Sequence, residues 1–202
     1  MENKIKTLFL DIGGVLLSNG WDRHARELSR DKFGLDKQEM EDRHALMFNT
    51  YELGKASFDD YLRFTIFHVE RNFPMQDFKN FMYEQSTPIE GAIEYFTALK
   101  KQYNFKIVAL SNEPRDLNEY RIEKFKLTEL FDFFVSSCYV KLRKPDVEMY
   151  NLAVDTAQTK KENCLYVDDR LLYVEMARSL GIPSLHYQSL DSAKDYFKSI
   201  GY

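Results

Sequence analysis

The chain has 202 residues, of which 44% are hydrophobic and 30% are charged. This length allows one full domain with its own core and a smaller insertion, and the composition is that of a folded globular protein. The formal net charge of −4 gives no general attraction to phosphate backbones or anionic lipid, so we expect neither nucleic acid nor a membrane as partner. A small anionic substrate would need local positive charge. The sequence does not indicate an oligomeric state.

The N-terminal segment, residues 1–17, contains a short apolar run that Asp11 and two glycines interrupt. This pattern is not that of a signal peptide, and it is too short for a membrane span. The two cysteines, Cys138 and Cys164, are far apart in sequence and are not in a CxxC or Cys/His cluster. We therefore expect a cytoplasmic protein without a disulfide framework or a zinc site.

The first strand is predicted at Thr7–Leu10, a short apolar run that ends at Asp11 and is followed by a glycine-rich turn. Such a strand would deliver the Asp11 carboxylate to its C-terminal end, where open α/β sheets place their chemistry. From about residue 19 to residue 85 the pattern changes to helices rich in Phe, Tyr and Met. Breaks fall near Gly34, at 54–57 and at 73–74. This segment is expected to be a helical insertion.

The main body is expected to resume at Thr87, where a capping residue, a proline at the first helical position and an early acid predict a helix that ends near Tyr103. Strands are then predicted at 105–110, 134–139, 164–167 and 183–186. Helices are predicted at 117–125, after Pro145, at 172–180 and at 192–200. Strands that alternate with helices favour an α/β fold, with a Rossmann-like parallel sheet and helices on both faces.

Polar clusters follow predicted strands or begin predicted helices at four places: Asp11 to Gly14, Ser111-Asn112, Lys144-Pro145-Asp146 and Asp168-Asp169. Because strand ends are neighbours in a parallel sheet, the clusters can converge on one crevice. Three carboxylates, an ammonium group and a hydroxyl can together hold a divalent cation, a phosphoryl group and a nucleophile. Phosphoryl transfer requires that set.

Each cluster also has a purely structural interpretation. A Ser-Asn pair after a strand is typical of a turn or a helix cap, and Lys144-Pro145 is typical of a helix entrance with a solvated lysine. Asp168-Asp169 is harder to explain in this way, because adjacent carboxylates are unfavourable without a cation, hydrogen bonds or a raised pKa. The four clusters together favour a functional site.

The clusters resemble, in order and spacing, the four motifs of the haloacid dehalogenase (HAD) superfamily: Phe9-Leu10-Asp11-Ile12-Gly13-Gly14-Val15-Leu16, Leu110-Ser111-Asn112, Lys144-Pro145-Asp146 and Tyr166-Val167-Asp168-Asp169. By this resemblance, residues 1–17 and 87–202 form the catalytic core. The helical segment 18–86 is similar to the small cap domain of the superfamily in position and helical character only.

The resemblance implies a Mg²⁺-dependent phosphatase that acts on a small phosphorylated metabolite, such as a sugar phosphate. Asp11 would attack phosphorus and carry an aspartyl phosphate. Ser111 and the backbone of Asn112 would bind the phosphoryl oxygens. Lys144 would neutralise charge on Asp11 and the phosphoryl group, projecting into a wet crevice, so that its loss would leave the fold intact.

The resemblance also implies the ligands of the Mg²⁺ ion. They are Asp11, the main-chain carbonyl of Gly13 and Asp169, with Asp168 as a supporting residue or an alternative ligand. Oxygen ligands that leave room for several waters suit Mg²⁺.

One position departs from the superfamily pattern. Active phosphatases usually carry Asp-x-Asp in the first motif, and the second carboxylate protonates the leaving group and then activates water. Here that position is Gly13, which offers a carbonyl to a metal but neither an acid nor a base. General acid and base help is worth about a hundred- to ten-thousandfold in rate.

Three interpretations follow, in order of preference. The first is a slow or selective phosphatase for leaving groups that need little protonation, as in an anomeric sugar phosphate, an aryl phosphate or an acyl phosphate. The second is that a cap residue supplies the proton, with Asp22, His24 and Glu27 the nearest candidates in sequence, although a position on a solvated helix face is the preferred interpretation of each. The third is a binding or regulatory protein that keeps the metal and phosphate pocket without useful turnover. A dehalogenase is disfavoured, because that branch needs no metal and would leave Asp168-Asp169 without a purpose.

Three residues at the predicted start of the cap, Asn19, Trp21 and Asp22, are expected close to the crevice. There they would help to choose the substrate. Packing inside the cap is an equal alternative for Trp21.

Overall fold

The architecture is that of a parallel α/β protein; the structure, a computed structural model, describes residues 5–202. Within that range five strands form one sheet in the order β3-β2-β1-β4-β5. They are β1 (Thr7–Leu10), β2 (Lys106–Ser111), β3 (Phe133–Ser136), β4 (Cys164–Asp168) and β5 (Ser184–His186). All neighbours are parallel, and Leu10 of the central strand pairs with Ala109 on one side and Val167 on the other. The predicted Rossmann-like sheet is confirmed.

Helices cover both faces of this sheet. The body contributes α5 (Ala92–Tyr103), α6 (Arg115–Lys124), α7 (Ser137–Val140), α8 (Val147–Thr156), α9 (Leu171–Ser179) and α10 (Leu190–Ser199). Successive residues of a strand point to opposite faces. Leu8 accordingly packs in one cluster with Phe96 and Phe197, whereas Phe9 packs in the other with Tyr150. No helix in residues 5–202 is long and apolar enough to cross a lipid bilayer.

The insertion consists of four helices: α1 (Arg23–Phe33), α2 (Lys37–Glu52), α3 (Phe58–Thr65) and α4 (Met75–Glu84). Their ends coincide with the predicted breaks, since Gly34 closes α1 in the left-handed conformation and Ser57 caps α3 through a capping box. The helices share a buried cluster in which Tyr51 and Tyr61 stack at 4.6 Å and Trp21 donates to the Tyr61 hydroxyl at 2.7 Å.

The insertion leaves and rejoins the body through two adjacent segments. Ser18 donates its backbone N–H to Thr87 O at 2.8 Å and its hydroxyl to Gln85 O at 2.6 Å. Because β1 ends at Leu10, these segments lie beyond the C-terminal edge of the sheet. The insertion is thereby held over the edge where the polar clusters were predicted to meet.

The helix predicted from Thr87 to Tyr103 begins only at Ala92, so its predicted start was wrong, whereas its end at Tyr103 is confirmed. Pro88 instead forms an antiparallel bridge with Leu17, and Gly91 with φ 74° precedes the helix. The local capping signal is outweighed by the pairing of the two segments that join the insertion to the body.

The strand predicted at 134–139 was too long. It ends at Ser136, and Ser137–Val140 turn into the short helix α7. A short apolar run does not distinguish strand from helix by periodicity. A tertiary contact is present at the point where the strand ends, because the Ser137 hydroxyl donates to Glu52 O of the insertion at 2.8 Å.

Candidate active site

Asp11 follows the last residue of β1 and is buried, with 7% of its surface exposed. Its Oδ1 accepts the Ser111 hydroxyl at 2.7 Å and the Ile12 N–H at 2.8 Å. Ser111 is the last residue of the neighbouring strand β2. Adjacent strand ends therefore bring the two side chains together.

Lys144 reaches the same point from the loop before α8. Its Nζ lies 3.0 Å from Asp11 Oδ2 and 2.6 Å from Asp168 Oδ2, and the side chain is fully buried. Asn112 holds the loop with two reciprocal bonds, accepting from Lys144 N at 2.8 Å and donating to Lys144 O at 3.0 Å. The expectation of a lysine in a wet crevice was wrong, because two buried carboxylates surround the ammonium group.

Asp168 has several protein donors besides Lys144. Its carboxylate accepts the Tyr166 hydroxyl and the Arg170 backbone N–H, the latter at 2.7 Å. Burial alone would raise the pKa of Asp168, but the Lys144 ammonium and these hydrogen bonds hold it below its usual value. Asp168 is thus an ionised partner of Lys144.

Asp169 differs from Asp168 in having an unused oxygen. Its Oδ2 accepts from Asn19 Nδ2 at 3.2 Å, whereas its buried Oδ1 has no hydrogen-bond partner in the described part of the chain. Buried oxygens normally have a partner. One oxygen each of Asp11, Asp168 and Asp169 lie within 4.8 Å of one another. This group fits a divalent cation with oxygen ligands, such as Mg²⁺.

Gly14 makes room for this arrangement. It has φ 72°, and a Cβ at this position would lie 2.2 Å from Asp169 Cγ. Only a residue without a side chain allows the Asp169 carboxylate to approach the backbone here.

The charged groups of the cluster shift one another's pKa values. Burial raises the pKa of Asp11 to about 7, with Asp168 contributing, although Lys144 and the Ser111 hydroxyl lower it. Burial would lower the pKa of Lys144, but the two carboxylates raise it above its usual value. The positive charge of one ammonium group therefore does not neutralise the negative charges of two carboxylates. A proton or a bound cation neutralises the remaining negative charge.

A cavity of about 370 Å³ lies above the cluster and is lined by both the body and the insertion. Six basic and four acidic side chains are among its described lining residues. Burial lowers the pKa of His44, on the insertion side, to about 4, so that side chain adds no charge at neutral pH. Most of these cations are paired with carboxylates, as Arg26 is with Glu41 and Arg143 with Glu52. They nevertheless line the cavity, so a small anion can contact them there in a protein of negative net charge.

Of the three residues of the insertion considered as proton donors, only Asp22 lines this cavity. Its carboxylate caps α1 by accepting from Ala25 N at 2.9 Å. His24 is exposed, and Glu27 pairs with Arg23 at 3.3 Å. Asn19 and Trp21 line the cavity, and Trp21 is also buried among the helices of the insertion.

The sequence did not point to the residues that link the insertion to the cavity wall. Arg143, next to Lys144, contacts Glu52 at 2.6 Å and Asn49 at 2.6 Å, both on α2. Burial raises the pKa of Glu52, while Arg143 lowers it. The position of Arg143 beside the third motif was the available signal, but nothing in the sequence indicated its partner.

Arg121 and Glu113 form a second pair that sequence reasoning missed. Both are buried and contact each other on the cavity wall. Glu113 directly follows Ser111-Asn112. Arg121 lies one helical turn after Leu117 on the buried face of α6. This spacing was visible, but an arginine on a helix is usually solvated.

Gly13 lies on the cavity wall between Asp11 and Gly14. Its φ is not in the left-handed region. A Cβ would lie 3.0 Å from Asn19 Oδ1 and 3.9 Å from Arg121 Nη1. The backbone therefore accepts a small side chain, provided that Asn19 moves by a few tenths of an ångström.

Comparisons with known proteins identify the family and the fold of this chain. The family model of haloacid dehalogenase-like hydrolases matches residues 5–181. The chain is 29% identical over 165 residues to flavin mononucleotide hydrolase 1 of Arabidopsis thaliana, covering 81% of this chain and 66% of that protein. It is 25% identical over 202 residues to drimenol cyclase drtB of Aspergillus calidoustus, covering 97% of this chain and 36% of that protein. The chain spans less than two thirds of the length of either relative.

Solved structures show the same fold. A HAD family enzyme from Bacteroides thetaiotaomicron superposes with a TM-score of 0.81 at 19% identity, over 96% of this chain and 98% of that one. The same enzyme in complex with magnesium and inorganic phosphate gives a TM-score of 0.79 at 19% identity, over 96% and 99% of the two chains. Because the family model spans most of its length, this chain belongs to the haloacid dehalogenase-like hydrolases.

Proposed function

We propose that this hydrolase is a Mg²⁺-dependent phosphatase that cleaves a small phosphate monoester, with Asp11 as the nucleophile. The observation that carries the proposal is the contact of Asp11 with Lys144 at 3.0 Å beneath a cavity rich in basic groups. One relative is named for the hydrolysis of flavin mononucleotide, and a structural neighbour is known with magnesium and inorganic phosphate. Both support a small phosphorylated substrate.

The reaction has two steps at phosphorus. An Asp11 oxygen bonds to phosphorus while the bond from phosphorus to the leaving oxygen breaks, which gives an aspartyl phosphate. Water then attacks phosphorus, releases inorganic phosphate and regenerates Asp11. The Ser111 hydroxyl, which turns from Asp11 Oδ1 to the substrate, and the backbone N–H of Asn112 donate to the phosphoryl oxygens. Lys144 balances the charge that these oxygens carry.

The metal ligands in this proposal are Asp11, the Gly13 carbonyl and Asp169. The unpartnered Oδ1 of Asp169 supports the assignment, because a buried carboxylate oxygen needs a donor or a cation. Asp168 already accepts from Lys144, Tyr166 and Arg170, which favours the supporting role over direct ligation. Bound Mg²⁺ supplies positive charge to the phosphoryl oxygens during transfer.

Residues 18–86 act as a cap over a core formed by 1–17 and 87–202. Because Gly13 provides no proton, the enzyme selects substrates whose leaving oxygen tolerates negative charge, such as an anomeric sugar phosphate, an aryl phosphate or an acyl phosphate.

A second candidate is a protein that binds metal and phosphate without useful turnover, which the absence of an acid at Gly13 favours. Phosphate release from a panel of esters, measured with Mg²⁺ and with a chelator, separates the two. The phosphatase proposal expects Mg²⁺-dependent turnover of at least one ester. No turnover across the panel, with a melting temperature that Mg²⁺ and phosphate still raise, would support the binding protein instead.

A further inference from the structure

Arg121 has unused hydrogen-bond donors on the cavity wall. Its Nε donates to Ser86 Oγ at 3.0 Å, its Nη2 donates to Ser18 O at 3.3 Å, and its Nη1 contacts Glu113. Its side chain is 2% exposed and that of Glu113 is 5% exposed. A guanidinium has five N–H groups. Two of them, one on each terminal nitrogen, have no partner among residues 5–202, and the group lines the cavity.

Gly20 leaves space for this guanidinium, and Gly13 lies next to it. A Cβ on Gly20 would lie 1.8 Å from Arg121 Nη2, and a Cβ on Gly13 would lie 3.9 Å from Arg121 Nη1. A side chain at position 20 would displace the guanidinium. The cation thus lies beside Gly13, the position that lacks an acid.

The location of Arg121 fits the leaving-group side of the proposed reaction. In-line displacement places the leaving oxygen across phosphorus from Asp11, and therefore toward the insertion. Arg121 lies on that side, because Ser18 and Ser86 are where the chain enters and leaves the insertion. Lys144 cannot take this role, since its ammonium is held between Asp11 and Asp168.

Breaking the bond between phosphorus and the leaving oxygen places negative charge on that oxygen. Either a proton or a fixed cation can stabilise this charge. An arginine keeps its proton at any physiological pH, so it stabilises the oxyanion by charge and hydrogen bonding alone. Without proton transfer, this stabilisation allows the bond to break only when the released hydroxyl group is fairly acidic.

We infer that Arg121, positioned by Glu113, contacts the leaving oxygen in place of a proton donor and restricts turnover to phosphate esters and anhydrides of acidic hydroxyl groups. This inference rests on the proposed phosphatase function and deepens it by naming the residue that determines which leaving groups the site accepts. Glu113 is a positioning residue that fixes the guanidinium plane and does not touch the substrate.

The test is a series of aryl phosphates of graded phenol pKa, with flavin mononucleotide as an alkyl ester. kcat/KM is measured for the wild type, Arg121→Gln and Arg121→Lys. The control is Arg26→Gln, which removes another cavity arginine that pairs with a glutamate, Glu41, at 2.9 Å. Circular dichroism and the melting temperature show whether each variant folds.

For Arg121→Gln we expect kcat/KM to fall about a hundredfold for the least acidic phenols and only slightly for the most acidic ones. Arg121→Lys keeps the positive charge but not the planar set of N–H donors. Its kcat/KM for the least acidic phenols should lie between the values for Arg121→Gln and the wild type. Arg26→Gln should change kcat/KM by the same factor for every ester of the series. A folded Arg121→Gln variant whose loss is equally uniform would overturn the inference and leave the phosphatase proposal standing. If Arg121→Gln does not fold, Arg121→Lys decides, and its dependence of kcat/KM on phenol pKa is compared with that of the wild type.

The pH profile gives an independent outcome. If Arg121 is the stabilising group, kcat/KM for weakly acidic leaving groups should not fall at high pH through ionisation of Glu113. The pH profile should therefore have no basic limb that Glu113→Gln removes. A basic limb that disappears in Glu113→Gln, with a flat dependence on phenol pKa in the wild type, would assign proton donation to Glu113 and overturn the inference. Absence of turnover for every ester would overturn the proposed function as well.

Discussion

Lys144 and Asp11 form a buried contact of 3.0 Å, and the same ammonium lies 2.6 Å from Asp168. One cation between two carboxylates leaves the cluster with an excess of negative charge. This excess explains why the site would take up either a proton or a divalent cation.

Removing the ammonium group should therefore destabilise the fold. Lys144→Met leaves two buried carboxylates without their cation, and we expect a loss of about 3–5 kcal/mol in the free energy of unfolding without metal. The control Lys100→Met removes a partly exposed pair with Asp132 and should cost about 1 kcal/mol or less. Urea denaturation with a chelator present measures both. Equal losses would show that the buried cluster contributes no more than a surface pair.

Gly14→Ala should weaken magnesium binding beyond its effect on stability. A Cβ there meets Asp169 Cγ at 2.2 Å, whereas Gly34, with φ 64°, has nothing within 4 Å of its Cβ position. Both alanine variants should lose about 1–2 kcal/mol of stability from the left-handed backbone. Only Gly14→Ala should also weaken Mg²⁺ binding, by about ten- to a hundredfold. Isothermal calorimetry that gives the same affinity for both variants would contradict the assignment of Asp169 as a ligand.

Magnesium binding should be coupled to a proton. Burial raises the pKa of Asp11 to about 7, so below that pH the metal-free carboxyl holds a proton that Mg²⁺ must displace. The affinity should rise with pH up to about 7 and level off above it. Calorimetry in buffers of different ionisation enthalpy should detect release of about one proton at pH 6 and close to none at pH 8.5. No release at pH 6 would mean that Asp11 is already ionised there.

Restoring a carboxylate at position 13 should change the leaving-group preference. The backbone there is not left-handed, and Asn19 Oδ1 at 3.0 Å is the closest atom that a Cβ would meet. Gly13→Asp should raise turnover of alkyl phosphates at least about tenfold more than that of aryl phosphates, because only the alkyl leaving group needs the proton. Gly13→Asn controls for shape, since its amide is no acid. Alkyl and aryl esters that respond equally in Gly13→Asp would mean that another group already donates the proton.

The sequence predicted the fold well because two local patterns agreed with the tertiary structure. The sheet strands are short apolar runs between turns, and three of the four polar clusters lie at their C-terminal ends. Asp11 and Ser111 therefore meet through strand pairing alone. The sequence also predicted where Lys144 lies but not its burial. Burial depends on how the loop before α8 folds over the sheet end.

Other features depend on contacts between distant segments. The start of α5 at Ala92 is set by the pairing of Pro88 with Leu17, which no local signal reports. The pair of Arg121 with Glu113 belongs to one stretch of sequence, but its position depends on Ser18 and Ser86 at the two ends of the insertion. Periodicity and capping rules predict neither the start of α5 nor the position of the Arg121 pair.

Trapping the phosphoryl group on Asp11 tests directly whether this residue is the nucleophile. The enzyme is mixed with Mg²⁺ and the ester that it turns over fastest, quenched in acid during turnover and treated with borohydride, which reduces an aspartyl phosphate to homoserine. Mass spectrometry of the peptide that contains Asp11 should then show homoserine at position 11, and Asp11→Asn should release phosphate at least about a thousandfold more slowly. Mg²⁺-dependent release that Asp11→Asn leaves unchanged, with aspartate intact at position 11 in the wild type, would contradict Asp11 as the nucleophile.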